Sequence, residues 1–276
     1  VTMSAVFNAD VPVAVPAGGF VAKYSPSGDL LFAERWLTNG IISDADKHGN
    51  DQWVFCGSGR AGAELNGQSL DVVSTFQDGW LARLDTTGSV LWALPILSDV
   101  NAFAYRCSTG PNGDVATLGG FQGNVILEND TLAGNGSSYC NFLASYSSSG
   151  QLNWAHRLGG DDHFASFDME RAPNGDIYIL GEFENELVLP GMSPLTASTP
   201  LDMFVARVDP ATGLCRSAYH YGKVGSFYVQ SYGSVWPTAN GLYVADCYDS
   251  TFTMGTHVLE PSGPVATDIF IAKFDS

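Results

Sequence analysis

The sequence predicts an all-β fold assembled from one repeated unit, and three observations carry that expectation. A short strand recurs five times: Phe20-Val21-Ala22-Lys23-Tyr24, Trp80-Leu81-Ala82-Arg83-Leu84, Phe142-Leu143-Ala144-Ser145-Tyr146, Phe204-Val205-Ala206-Arg207-Val208 and Phe270-Ile271-Ala272-Lys273-Phe274. Its aromatic leaders lie 60, 62, 62 and 66 residues apart, and a period this regular marks a repeat protein. Side chains within each copy alternate between two faces, as in a strand, and no helical spacing intervenes.

The rest of the unit follows in order. A turn comes next, Ser25-Pro26-Ser27-Gly28, Asp85-Thr86-Thr87-Gly88, Ser147-Ser148-Ser149-Gly150 or Asp209-Pro210-Ala211-Thr212-Gly213. Its glycine supplies the positive φ of a tight hairpin. A second strand contains Leu30-Leu31-Phe32-Ala33, Val90-Leu91-Trp92-Ala93, Leu152-Asn153-Trp154-Ala155 or Cys215-Arg216-Ser217-Ala218. A third strand is expected at 41–46, 103–108, 164–169 and 227–232, and a fourth at 53–56, 115–118, 177–180 and 242–245. Between them stand His48-Gly49-Asn50, Pro111-Asn112-Gly113-Asp114, Pro173-Asn174-Gly175-Asp176 and Ala239-Asn240-Gly241, and Asn-Gly between apolar runs is a strong hairpin signal.

Four antiparallel strands per period describe a β-propeller blade. The expected architecture is a β-propeller of about five blades in one domain over residues 1–276, with blade boundaries near 40, 100, 162 and 224. Alanine at the centre of every copy suits a place where neighbouring sheets pack closely. Residues 1–7 align with the strand after the Asn-Gly turn, so the first blade lacks its innermost strand. The fifth lacks its outermost, because the sequence stops at Phe274-Asp275-Ser276. The expectation is a piece of a longer chain.

Composition narrows the partners. Twelve basic against 29 acidic residues give a net charge of −17, which repels nucleic acid and anionic lipid. No apolar run is long enough to span a membrane as a helix. Cys56, Cys107, Cys140, Cys215 and Cys247 recur at no repeat position and show no metal spacing. They read as small buried hydrophobes, with disulfides between neighbouring strands as the alternative.

The unit from Asp202-Met203-Phe204-Val205-Ala206-Arg207 to Gly213, with Pro173-Asn174-Gly175-Asp176-Ile177-Tyr178-Ile179-Leu180-Gly181 before it, resembles the bacterial SBBP-type β-propeller repeat. That repeat reads as an Asp-x-Phe-Val-Ala-Lys strand, a Ser-Gly-Asn turn, a Trp-Ala strand and a Gly-Asn-x-Tyr-Val-x-Gly strand. The likeness covers almost the whole chain. Asp78, Asp202 and Asp268 keep the leading acid, where Gly18 and Cys140 depart from it; a local turn hydrogen bond is its expected role. The resemblance implies a secreted or cell-surface protein of Bacteroidetes type, often followed by a type IX secretion domain. It also implies interaction or structure rather than catalysis.

Candidate sites are few. Counted back from the turn Asn, Asp44, Arg106 and Asp168 hold one repeat position; facing a channel, they would form a mixed-charge ring for a polar ligand, or pair as structural groups. Asp44-Ala45-Asp46-Lys47-His48-Gly49 has the start of a calcium loop but lacks its later ligands, so no metal or cofactor is expected. Asp161-Asp162-His163 clusters at the entry to a third strand, with His163 the ligand candidate. Trp80, Trp92 and Trp154 recur and read as packing. Trp36 and Trp236 do not recur, and packing between blades is the first reading for each, with stacking on a sugar the alternative that makes them carbohydrate candidates. The expected function is a non-catalytic extracellular adhesion, scaffold or binding module meeting a protein or glycan. One alternative is a glycoside hydrolase of five-bladed propeller type using Asp44, Asp168 and Glu170. The other is a structural subunit of a surface assembly joined through unfinished blade edges.

Overall fold

The computed structural model describes residues 18–49, 51–135, 139–160, 164–222, 233–248, 250–263 and 267–275. The first copy of the recurring motif forms β1 (Gly19–Tyr24), and β2 (Leu30–His48) returns beside it. Next come β3 (Gln52–Leu65), the short β4 (Gln68–Ser69), and the second copy, β5 (Asp78–Asp85), with β6 (Val90–Ser98). Then follow β7 (Asn101–Thr109), β8 (Val115–Gln122) and a small hairpin of β9 (Val125–Leu127) and β10 (Asp130–Leu132). The third copy is β11 (Cys140–Tyr146), followed by β12 (Leu152–Leu158), β13 (Phe164–Arg171), β14 (Ile177–Phe183) and the short pair β15 (Glu186–Leu187) and β16 (Leu195–Thr196). The fourth is β17 (Asp202–Val208), with β18 (Cys215–Gly222), β19 (Ser234–Thr238), β20 (Gly241–Tyr248), β21 (Phe252–Met254) and β22 (His257–Leu259) after it. The fifth is β23 (Asp268–Phe274). Every described regular element is a strand.

These strands form antiparallel sheets in chain order. The first runs β1-β2-β3-β5-β6 with β9-β10 appended, the second β12-β11-β8-β7, the third β13-β14-β17-β18 and the fourth β19-β20-β23. Consecutive sheets meet along one strand of each: β7 lies against β2, β13 against β7 and β19 against β13. The boundary expected near 40 falls inside β2, which runs unbroken through it. The cause is the length of β3: its far end pairs Leu65 with Leu37 and Glu64 with Thr38, and the register then shifts so that Gly40 meets Gly59. Asn39 takes a positive φ of 50° at that shift. On either side of residue 100, β6 and β7 belong to different sheets, and β9-β10, later in the chain, return to the first. The expected boundaries near 162 and 224, the 227–232 strand and the alignment of 1–7 lie outside the described residues.

The repeated sequence produces repeated packing. Central alanines pair across strands four times, Ala22 with Ala33, Ala82 with Ala93, Ala144 with Ala155 and Ala206 with Ala218. A second device is a glycine beneath three of the five aromatic leaders. Gly57 pairs with Trp80, Gly119 with Phe142 and Gly181 with Phe204. A β-carbon on Gly119 would stand 2.2 Å from the Phe103 carbonyl oxygen and 2.4 Å from the Phe142 ring, so only hydrogen fits there.

The core lies between sheets. Val54, Leu81 and Ile96 meet Phe121 and Phe142; Leu118 and Leu143 meet Ile179 and Phe204; Leu180 and Val205 meet Val244 and Phe270. Fully burying one such side chain stabilises the fold by about 1.5–3 kcal/mol. Cys56, Cys107, Cys140 and Cys215 are buried among them.

The leading acids tie down the loop before their strand. Asp78 accepts the Val73 and Ser74 N–H groups at 2.9 and 2.8 Å. Asp202 accepts the Ser198 and Thr199 N–H groups at 2.8 and 3.0 Å and faces His220 Nδ1 at 2.6 Å. Burial alone would raise the Asp202 carboxyl, but these bonds outweigh it and hold the group below the usual carboxylate range.

Candidate functional site

The row expected from turn alignment is present on the strands along which the sheets meet. Asp44 lies on β2, Arg106 on β7 and Asp168 on β13. Each directly follows a β-bulge, at the register shifts Ile42/Asp44, Ala104/Arg106 and Ser166/Asp168. A bulge re-aims the side chains beside it, and here they point at the next sheet. Asp44 Oδ2 accepts the Cys107 N–H at 3.0 Å. The Arg106 Nε–H donates to Asp168 Oδ1 at 3.1 Å, while Asp168 Oδ2 accepts the Ser234 hydroxyl at 2.8 Å and the Val235 N–H at 2.9 Å.

Ser234 is the row's fourth member and was missed at the sequence level. It stands six residues before Asn240, as Asp168 does before Asn174, so the same alignment contains it. Attention to charge alone hid a hydroxyl. Two residues further along each strand lies a second row, Asp46, Ser108, Glu170 and Trp236. Asp46 Oδ2 accepts the Thr109 N–H at 2.6 Å and its hydroxyl at 2.8 Å. The stretch from Asp44 to His48 is strand, not a calcium loop, and its two acids are taken up by β7.

The electrostatics follow from that arrangement. Burial pushes the Asp44 carboxyl up, against the pull of the Cys107 and Ala45 N–H groups and of Arg106. Glu170 is exposed, and no hydrogen bond to it is found among the described residues. Crowding by surrounding protein, then the Asp168, Asp46 and Asp44 carboxylates, push it up to about 7, with Arg106 opposing. It can therefore exchange a proton near neutral pH.

The tryptophans divide. Trp36 is buried, stacked on Phe32 at 6.4 Å and edge-on to Phe55 at 5.8 Å. It is not open to a sugar: its faces are spent on packing, the first reading for this residue, which removes it as a candidate for stacking on a sugar. Trp236 is 69% exposed and pairs across strands with Tyr243, whose ring carries Lys273 Nζ at 5.9 Å. With Ile269 and Ile271 it lies on a face of the fourth sheet that no described element covers. His163, Asp161 and Asp162 lie outside the described residues.

No family model and no curated protein matches the chain. Among solved structures, a protein of unknown function from Bacteroides caccae aligns over 82% of this chain and 81% of its own, at 9% identity and a TM-score of 0.35.

Proposed function

We propose that the chain is a non-catalytic binding module of the β-propeller type, its sheets acting as blades, at the cell surface or outside the cell. The observation that carries this reading is the polar row. Asp44, Asp46 and Asp168 are committed to N–H groups of the following sheet, so the acids serve rigidity and leave little chemistry for catalysis. Around that frame, Glu170, Trp236 and the partly exposed Arg106 are available to a polar ligand, a protein or a glycan. The resemblance to secreted SBBP-type repeats and the net charge of −17 support an extracellular partner that is neither nucleic acid nor anionic lipid. The uncovered face holding Trp236, Ile269 and Ile271 also favours association with a neighbour in a surface assembly.

Glycan and peptide arrays probed with the wild type, Trp236→Ala and Glu170→Gln test the reading: binding is expected in the wild type and weakened in both variants. A hydrolase is the second reading, favoured only by the titration of Glu170 near 7 beside a carboxylate. Turnover of chromogenic glycosides that disappears in Glu170→Gln would replace the binding-module reading with it.

A further inference from the structure

Residues Phe32, Trp92, Trp154 and Ser217 occupy one repeat position. Each pairs across strands with the fourth residue of the recurring motif, Lys23, Arg83, Ser145 and Arg207, and a register shift follows in every case. In the second and third copies this position drives an indole into the next sheet. The Trp92 ring packs against the cluster that holds the cross-strand pair Val115 and Tyr146, and Trp154 joins that of Ile177 and Val208. Each indole N–H donates to a turn carbonyl of the next copy, Trp92 to Ser148 and Trp154 to Pro210, both at 3.0 Å. Arg83 caps Trp92 with its guanidinium 5.6 Å from the ring centroid.

The fourth copy breaks the rule. The pair corresponding to Ile177 and Val208 is Leu242 and Phe274, apolar as before. The cation corresponding to Arg83 is Arg207, fixed by a 2.6 Å bond to Asp176. The indole itself is missing, because the residue is Ser217. A cavity of about 410 Å³ stands there, lined by Tyr178, Arg207, Ser217, Tyr219, Leu242 and Phe274 among others. That size lies within the roughly 300–1,000 Å³ of small-molecule sites.

We infer that this cleft binds a planar aromatic ring carrying a hydrogen-bond donor, an indole-like group seated where Trp92 and Trp154 sit in the preceding copies. Leu242 and Phe274 form the apolar wall and Tyr178 and Tyr219 add ring contacts. Arg207 faces the guest's π-cloud as Arg83 faces Trp92. Asp275 also lines the cleft, and its carboxylate is the acceptor for the guest's N–H or O–H. The site is independent of the polar row and does not require the sheets to close into a ring.

Saturation-transfer NMR and calorimetry with indole, N-acetyl-tryptophanamide and a tryptophan-containing peptide test this, with glucose as a non-aromatic control. Binding of the indole ring is expected. Free indole alone points to a small-molecule ligand, and equal or tighter binding of the peptide points to a tryptophan side chain of a partner. Ser217→Trp supplies the missing indole from within and should weaken binding at least roughly tenfold while raising the melting temperature. Should that variant fail to fold, Tyr219→Ala, at an exposed side chain, decides alone, with an expected loss of roughly threefold to tenfold. No binding of any indole, glucose binding as well as indole does, or affinity unchanged in the variants that fold would overturn the inference.

Discussion

The first and third copies of the recurring motif have nearly the same sequence and opposite environments. β11, in the third, is buried along its whole length, whereas β1 keeps half of its residues open and Phe20 is 46% exposed. The third strand lies inside its sheet between β8 and β12, with further sheets against both faces. Among the described residues the first pairs with β2 alone and stands at the end of its sheet. One motif therefore contributes very unequally to stability, and position in the stack decides by how much.

Truncating the aromatic leader should expose that inequality most strongly. Phe142→Ala, at a fully buried ring beside Gly119, is expected to cost about 3–5 kcal/mol. Phe20→Ala should cost less than about 1 kcal/mol. Chemical denaturation of both variants measures the gap, and equal losses would break the comparison.

The leading acids offer a smaller version of the same contrast. Asp202→Ala strands the Ser198 and Thr199 N–H groups and the His220 ring, for an expected loss of roughly 2–3 kcal/mol. Asp268, half-buried and bonded to Ser262, should cost about 1 kcal/mol or less when replaced by alanine. The folded pKa of Asp202 lies below its ordinary value. Its contribution is thus present above the unfolded pKa of about 3.9 and is lost as pH falls through the folded value. Melting curves on acidification should separate wild type from Asp202→Asn down to that point and merge below it.

The smallest effect concerns two residues at one repeat position. Asp46 is engaged by Thr109, while Glu170 is pushed up to about 7, first by the surrounding protein that keeps water from it and then by nearby carboxylates. Because an acid with a raised folded pKa binds its proton more tightly when folded, its contribution is greatest below the unfolded pKa of about 4.3. It fades as pH rises to about 7. Glu170→Gln should flatten that slope in a series of thermal melts. An unchanged slope would mean that folding does not raise its pKa.

Local pattern made much of this legible. Alternation and Asn-Gly turns mark the strands, and β7, β8, β13, β14 and β20 cover the stretches expected for them. The acid leader's turn bonds, the paired alanines and the row of Asp44, Arg106 and Asp168 also follow from register. Other features were hidden for identifiable reasons. Trp36 stands outside the repeat, so register could not choose between packing and an exposed ring; Phe32 and Phe55 cover it. Gly119 and Gly181 look like weak strand residues until the rings above them are seen.

The sequence by itself determined the unit: its strands, its turns and the residues that recur in them, because these depend on neighbours a few positions away. Only the tertiary structure decided which copies are buried, that β2 runs unbroken through residue 40, that the acids clamp one sheet to the next, and that Ser217 leaves a cleft. Those outcomes depend on which sheet lies against which face, a relation between residues about 60 positions apart that no local pattern encodes.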